Sequence, residues 1–196
     1  LPIILLKEAK MPITVQIEKK KRYTYEDYER LPEGAPYQLI GGELVMTPSP
    51  SPYHQDILRT LGFKLVAFVE GKGLGKVYYA PIDVYFSETD TYQPDIVFIS
   101  KGRLNIIGEK KIEGPPDLAI EILSPATAYY DLRIKKDTYE QSGVKEYWIV
   151  DPIQKTIEIF VNRNGRFEPV SAAKVEGEVE SYLLNGLSIA LREVFE

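Results

Sequence analysis

The chain has 196 residues, 44% hydrophobic and 27% charged, enough to bury a core without disulfide or metal staples. With no cysteine and a single histidine, His54, it excludes disulfides, Cys-ligated zinc, iron–sulfur clusters, thiol catalysis and multi-His metal sites. Any divalent ion must then sit on carboxylates, which favours hard ions such as Mg²⁺, while the net charge of −5 counts against a simple electrostatic nucleic-acid binder.

Residues 1–22 read as an N-terminal extension and 23–196 as one domain. The opening LPIILL is six apolar residues followed by Lys7, Glu8 and Lys10. It is too short for a membrane span and lacks a signal peptide's layout, so it reads as a leader or an added strand. The absence of cysteine fits a cytoplasmic setting.

Thr24 followed by Asp27 has the form of a capping box and predicts a short helix ending near Leu31-Pro32. Residues 37–46 predict two short strands around Gly41-Gly42. Ser51 before Pro52 is a helix start, and Ile57, Leu61, Leu65, Phe68 and Val69 recur at helical spacing over about 53–70. Gly71 is the expected stop. The glycines at 71–76 lack the Walker spacing and follow a helix, so they predict a turn into a strand.

Strands are expected over 77–86 and 94–100 as a hairpin, and over 117–123, whose LAIEIL run is apolar enough for a buried strand. A helix follows over about 128–142, capped by Gly143. Strands over 146–150 and 156–161 flank the Asp151-Pro152 turn, and 162–165 turns again. The tail predicts short strands and a last helical turn. From 53 to 151 the order is helix, strand, strand, strand, helix, strand, which gives an α/β fold with a mixed sheet and helices on its faces.

Two carboxylates stand out. Asp95 follows Pro94 at the mouth of a strand. Glu121 lies among apolar neighbours in Ala119-Ile-Glu-Ile-Leu123, where burial is costly unless the charge is paired or metal-bound. Taken alone, Glu121 reads equally as a buried functional carboxylate or as an ordinary one that faces solvent or meets an arginine in a structural salt bridge. Basic runs at 19–22, 110–111 and 133–136 read first as solvated faces and second as local nucleic-acid contacts. Tyr147-Trp148 reads as core, and one ring of each pair Tyr78-Tyr79 and Tyr129-Tyr130 is expected to face outward.

The order αβββαβ, with Pro-Asp on the second strand and Glu on the third, resembles the PD-(D/E)XK superfamily of restriction-endonuclease-like folds. The chain is similar more specifically to the Uma-type endonuclease family. The residues that carry this are Gly42-Glu43, Pro48-Ser-Pro50 with His54, Gln93-Pro-Asp95 and Ala119-Ile-Glu-Ile-Leu-Ser-Pro125. Asp131 with Lys135 and Tyr139, and Gly143-Val-Lys-Glu-Tyr-Trp-Ile-Val-Asp-Pro152, extend the likeness across most of 24–161.

The resemblance implies a DNA endonuclease in which Asp95, Glu121 and the Ile122 carbonyl hold Mg²⁺ or Mn²⁺. The ion would lower the pKa of a water and offset charge on phosphorus. Where the superfamily pattern has lysine, this chain has Leu123. Lys135 or Lys136 on the next helix is then the expected replacement, and Lys135 is favoured because it follows Asp131 by four residues. Leu132 and Ile134 are expected to seat that helix on the sheet.

Auxiliary expectations are Glu43 as an upstream acid, Asp83 on a neighbouring strand, His54 toward a phosphate or the metal's water, and Asp131 as helix start and lysine partner. DNA is the expected partner, and cutting both strands implies a homodimer. The alternatives are an inactive DNA-binding or interaction module of the same fold, favoured by Leu123 and the acidic charge, and, less favoured, a paired-carboxylate glycosidase.

Overall fold

The computed structural model describes residues 21–196; the apolar leader and the first two lysines of the 19–22 run lie outside it. Thr24 closes a capping box with Asp27 at the start of α1 (Tyr25–Glu29). The hairpin β1 (Tyr37–Ile40) and β2 (Glu43–Met46) follows as expected. The long helix α2 (Pro52–Gly71) opens with Ser51 Oγ accepting from the His54 backbone N–H, and it includes Gly71 rather than stopping before it.

Residues 77–86 were expected to be one strand, but they form two. β3 (Gly75–Tyr79) ends before Ala80-Pro81, and β4 (Val84–Ser87) belongs to a different sheet. β3 is the edge of its sheet; the Ala80 N–H still bonds the Asp95 carbonyl, and Pro81 has no N–H to continue the pairing. A further strand, β5 (Asp90–Tyr92), pairs with β4 before β6 (Ile96–Ser100) returns to β3 in antiparallel register. A 3₁₀ segment (Lys101–Ile106) and β7 (Ile112–Glu113) then lead to β8 (Leu118–Ile122).

The expected helix over 128–142 is π-helical over Tyr130–Lys135 and becomes α3 over Lys136–Ser142. Gly143 terminates it in the left-handed conformation (φ +87°), which glycine adopts without penalty. β9 (Glu146–Asp151), β10 (Thr156–Arg163) and β11 (Arg166–Lys174) form a meander. The last of these is nine residues long, where only short strands were expected. β12 (Glu178–Glu180), β13 (Ser188–Ala190) and α4 (Leu191–Phe195) complete the chain.

The main sheet runs β11-β10-β9-β8-β6-β3, with β8 and β9 parallel and the other pairs antiparallel. A second sheet, β2-β1-β5-β4-β7, gathers the N-terminal hairpin and the inserted strands. β8 is buried along its whole length, so its side chains serve both faces. Leu118, Ile120 and Ile122 pack with Ile57, Leu61 and Leu65 of α2. Ala119 points the other way, into a cluster with Tyr139, Tyr147 and Ile149. Glu121 shares that second face by the two-residue alternation of a strand.

Leu132 was expected to seat the helix; instead it is 42% exposed, and Ile134 alone packs on the core. A π turn takes more than 3.6 residues per revolution. Asp131 and Lys135, four residues apart, share one side of this winding and are both buried, while Leu132 lies on another side.

Candidate active site

Strand register brings the two carboxylates together. Ile96 pairs with Ile120, so the next step along both strands sets Asp95 across from Glu121. Asp95 Oδ2 accepts the Ile122 N–H at 2.7 Å, an anchor from the adjoining strand end. The segment before Asp95 is fixed as well: the Gln93 N–H donates to Gln38 Oε1 at 2.8 Å, and Gln38 donates to Thr47 Oγ1.

Glu121 is buried, and its partners come from the helix across the cluster. Lys135 Nζ lies 3.1 Å from Glu121 Oε1, and the Tyr139 hydroxyl donates to the same oxygen at 2.5 Å. Lys135 also sits 2.8 Å from Asp131 Oδ1. Asp131 in turn accepts from Thr127 Oγ1 at 2.8 Å, and its main-chain carbonyl takes the Tyr147 hydroxyl. Lys135 is only 2% exposed, so this ammonium is held in place by two carboxylates.

Burial pushes the Glu121 carboxyl above its usual 4.5, and the nearby Asp131 and Asp95 charges add to this against the pull of Lys135. Burial alone would lower Lys135, but the Glu121 and Asp131 charges outweigh it and hold the amine protonated. Glu121 and Asp131 thus share one ammonium, with Asp95 as a third carboxylate nearby. That excess of negative charge in a poorly hydrated place is what a divalent cation would neutralise.

His54 projects from the first turn of α2 into the same place. Its Nε2 is 3.2 Å from the Ile122 carbonyl oxygen and 3.4 Å from Asp95 Oδ1. Among the described residues no three His, Asp or Glu side chains are already spaced as a ligand set. The convergence is of two side chains and one main-chain oxygen, with Glu121 Oε1 occupied by Lys135 and Tyr139 and its Oε2 left as the second oxygen. Oxygen donors with a negative surplus fit a hard divalent ion.

These groups line a cleft of about 720 Å³ walled by the 34–36, 47–51 and 122–127 segments. Its lining brings together Asp95, Glu121, Ile122, His54, Asp131 and Lys135. Three other candidates are elsewhere. Asp83 accepts from the Tyr28 hydroxyl and Gln93 Nε2, which makes it a clamp between α1 and the strand before Asp95. Glu43 starts β2, outside the cleft lining. Lys136 places its Nζ 3.5 Å over the Phe160 ring.

Sequence reasoning gave no role to Thr127 or to the Gln38–Gln93 pair. Thr127 carries a readable signal, because it precedes Asp131 by one helical turn. Gln93 stood out only within Gln93-Pro-Asp95, and its contact with Gln38 carries no local signal, since it joins residues 55 apart.

A family model described as "Uma2: Putative restriction endonuclease" matches residues 25–192. A solved structure described as a "putative nuclease belonging to DUF820" from Anabaena variabilis has a similar fold, with a TM-score of 0.74 and 20% identity. The match covers 88% of this chain and 97% of that one, and at such identity it speaks to the fold, which is restriction-endonuclease-like. No curated protein matches.

Proposed function

Because the chain belongs to the Uma2 family, we propose that it is a divalent-metal-dependent DNA endonuclease with Asp95, Glu121, the Ile122 carbonyl and Lys135 as its working groups. The observation that carries this reading is the Lys135 ammonium, locked between Glu121 and Asp131 beside Asp95 in a cleft. Mg²⁺ or Mn²⁺ held by Asp95, Glu121 and the Ile122 oxygen would supply Lewis-acid chemistry at the scissile phosphate.

The chain's own groups do the rest. An ammonium has three N–H donors. Two of those on Lys135 face Glu121 and Asp131, so the third is available to a phosphate oxygen or to the attacking water. Asp131 keeps Lys135 charged and aimed. Tyr139 and Lys135 together bind one oxygen of Glu121 and leave the other for the ion. Residues 23–196 act as one domain in this reading, and cutting both strands requires two sites, hence a homodimer.

Leu123, standing where the superfamily pattern has lysine, favoured a binding module without catalysis. An ammonium 3.1 Å from Glu121 supports the active reading instead. Supercoiled plasmid incubated with Mg²⁺ or Mn²⁺ tests the choice. Nicking that disappears in Asp95→Ala is expected; no nicking by the wild-type protein with either ion, alongside retained DNA binding, would favour the inactive module.

A further inference from the structure

We infer that His54 is itself a ligand of the ion and biases the site toward Mn²⁺ over Mg²⁺; this rests on the metal-dependent reading above. In an octahedral site with bonds of about 2.1 Å, neighbouring ligand atoms stand about 3.0 Å apart. His54 Nε2 stands 3.2 Å from the Ile122 oxygen and 3.4 Å from Asp95 Oδ1, close to that spacing from both oxygens at once. A shared ion between these three atoms therefore needs little rearrangement.

The ring is held for this. Its residue sits in the first turn of α2, where the backbone N–H is bound to Ser51 Oγ, and the side chain is only 12% exposed. Nδ1 is buried without a hydrogen-bond partner. Without an ion, Nε2–H faces two acceptors, the Ile122 carbonyl and Asp95. With the proton on Nδ1 instead, an ion between the three atoms replaces the contacts that Nε2 gives up.

The chemistry sets the preference. Carboxylate, carbonyl and water oxygens suit Mg²⁺ and Mn²⁺ alike. An imidazole nitrogen adds a softer donor, which Mg²⁺ uses poorly and Mn²⁺ accepts. The alternative geometry, Nε2–H merely donating to Ile122 and Asp95, would leave both ions dependent on oxygens alone and give no such bias.

Electron-spin-echo spectroscopy of the wild-type protein loaded with Mn²⁺ tests this directly, alongside calorimetric titration of Mn²⁺ and Mg²⁺ into wild type, His54→Ala, His54→Gln and Asp95→Asn. The expected results are a ¹⁴N imidazole coupling in wild type and a tenfold or greater fall in the Mn²⁺ to Mg²⁺ affinity ratio in both His54 variants. Absence of the ¹⁴N coupling in wild-type protein that binds Mn²⁺ overturns the inference without recourse to any variant. So does an unchanged affinity ratio in folded His54→Gln. If Asp95→Asn binds Mn²⁺ as tightly as wild type, the metal reading itself fails, and this one with it.

Discussion

Replacing Lys135 by methionine removes the ammonium while keeping most of the side-chain volume. At an effective dielectric of about 20, an ion pair at 3.1 Å is worth about 5 kcal/mol, and one at 2.8 Å about 6 kcal/mol. Desolvation of the buried ammonium offsets a large part of that sum. The loss left when one partner of a buried pair is removed is about 3–5 kcal/mol, because the remaining charges stay buried and uncompensated. Here two carboxylates, Glu121 and Asp131, are left facing each other. Urea unfolding in EDTA at pH 8 should register this loss. At pH 5 the deficit should shrink, since a proton can replace the missing charge. Catalysis should fall on the order of 10²–10³-fold, as when one donor to a developing charge is removed. Lys136→Ala is the matched control: it gives up a cation–ring contact with Phe160 worth about 0.5–1 kcal/mol and should leave nicking unchanged. A Lys135→Met protein of wild-type stability at pH 8 and wild-type nicking rate would refute the assignment, as would equal effects in the two variants.

Other outcomes follow from the same geometry. Glu121 and His54 both have raised pKa values in the fold, Glu121 through burial and His54 through Asp95 acting against burial. Groups of this kind stabilise at low pH and lose that contribution as pH rises through their folded values. Metal-free protein should therefore lose stability between pH 5 and 8.5, and Glu121→Gln should flatten the profile; a stability that rises over this range contradicts the shift. DNA binding by a chain of net charge −5 must depend on local cations, so affinity should drop steeply between 50 and 200 mM salt on a filter or anisotropy assay. Salt-independent binding would point to another ligand. Gly75→Ala would set a Cβ 2.0 Å from the Ile99 carbonyl oxygen, in the β3–β6 ladder. A cost of about 1–3 kcal/mol is expected from this overpacking, and thermal unfolding at wild-type temperature would show that the strands part freely there.

Elements set by local pattern were legible. The capped start of α2 needs only Ser51, Pro52 and a helical repeat of apolar residues. The β1–β2 hairpin needs only a pair of glycines between strand formers. Residues 118–122 announce a buried strand by a run that is apolar apart from Glu121, and the fold class follows from the order of such elements. Burial of Glu121 was one of two open readings, because hydropathy does not say what lies across from a carboxylate.

What only the tertiary structure decided are contacts between distant residues. The split of 77–86 at Pro81 depends on a second sheet, whose strands come from three separated parts of the chain. The π winding at Tyr130–Lys135 and the exposure of Leu132 are invisible to a 3.6-residue repeat, whereas the shared face of Asp131 and Lys135 follows from their four-residue spacing. His54 reaches the Ile122 carbonyl across 68 residues, and Asp83 is drawn to Tyr28 across 55. The sequence therefore determined the main helices and strands, since near neighbours make that choice, but not β5 or β7, which form only by pairing within the second sheet. Which side chains share one oxygen or one buried charge was decided by strand register and helix winding, where a shift of a single residue would send each to the opposite face.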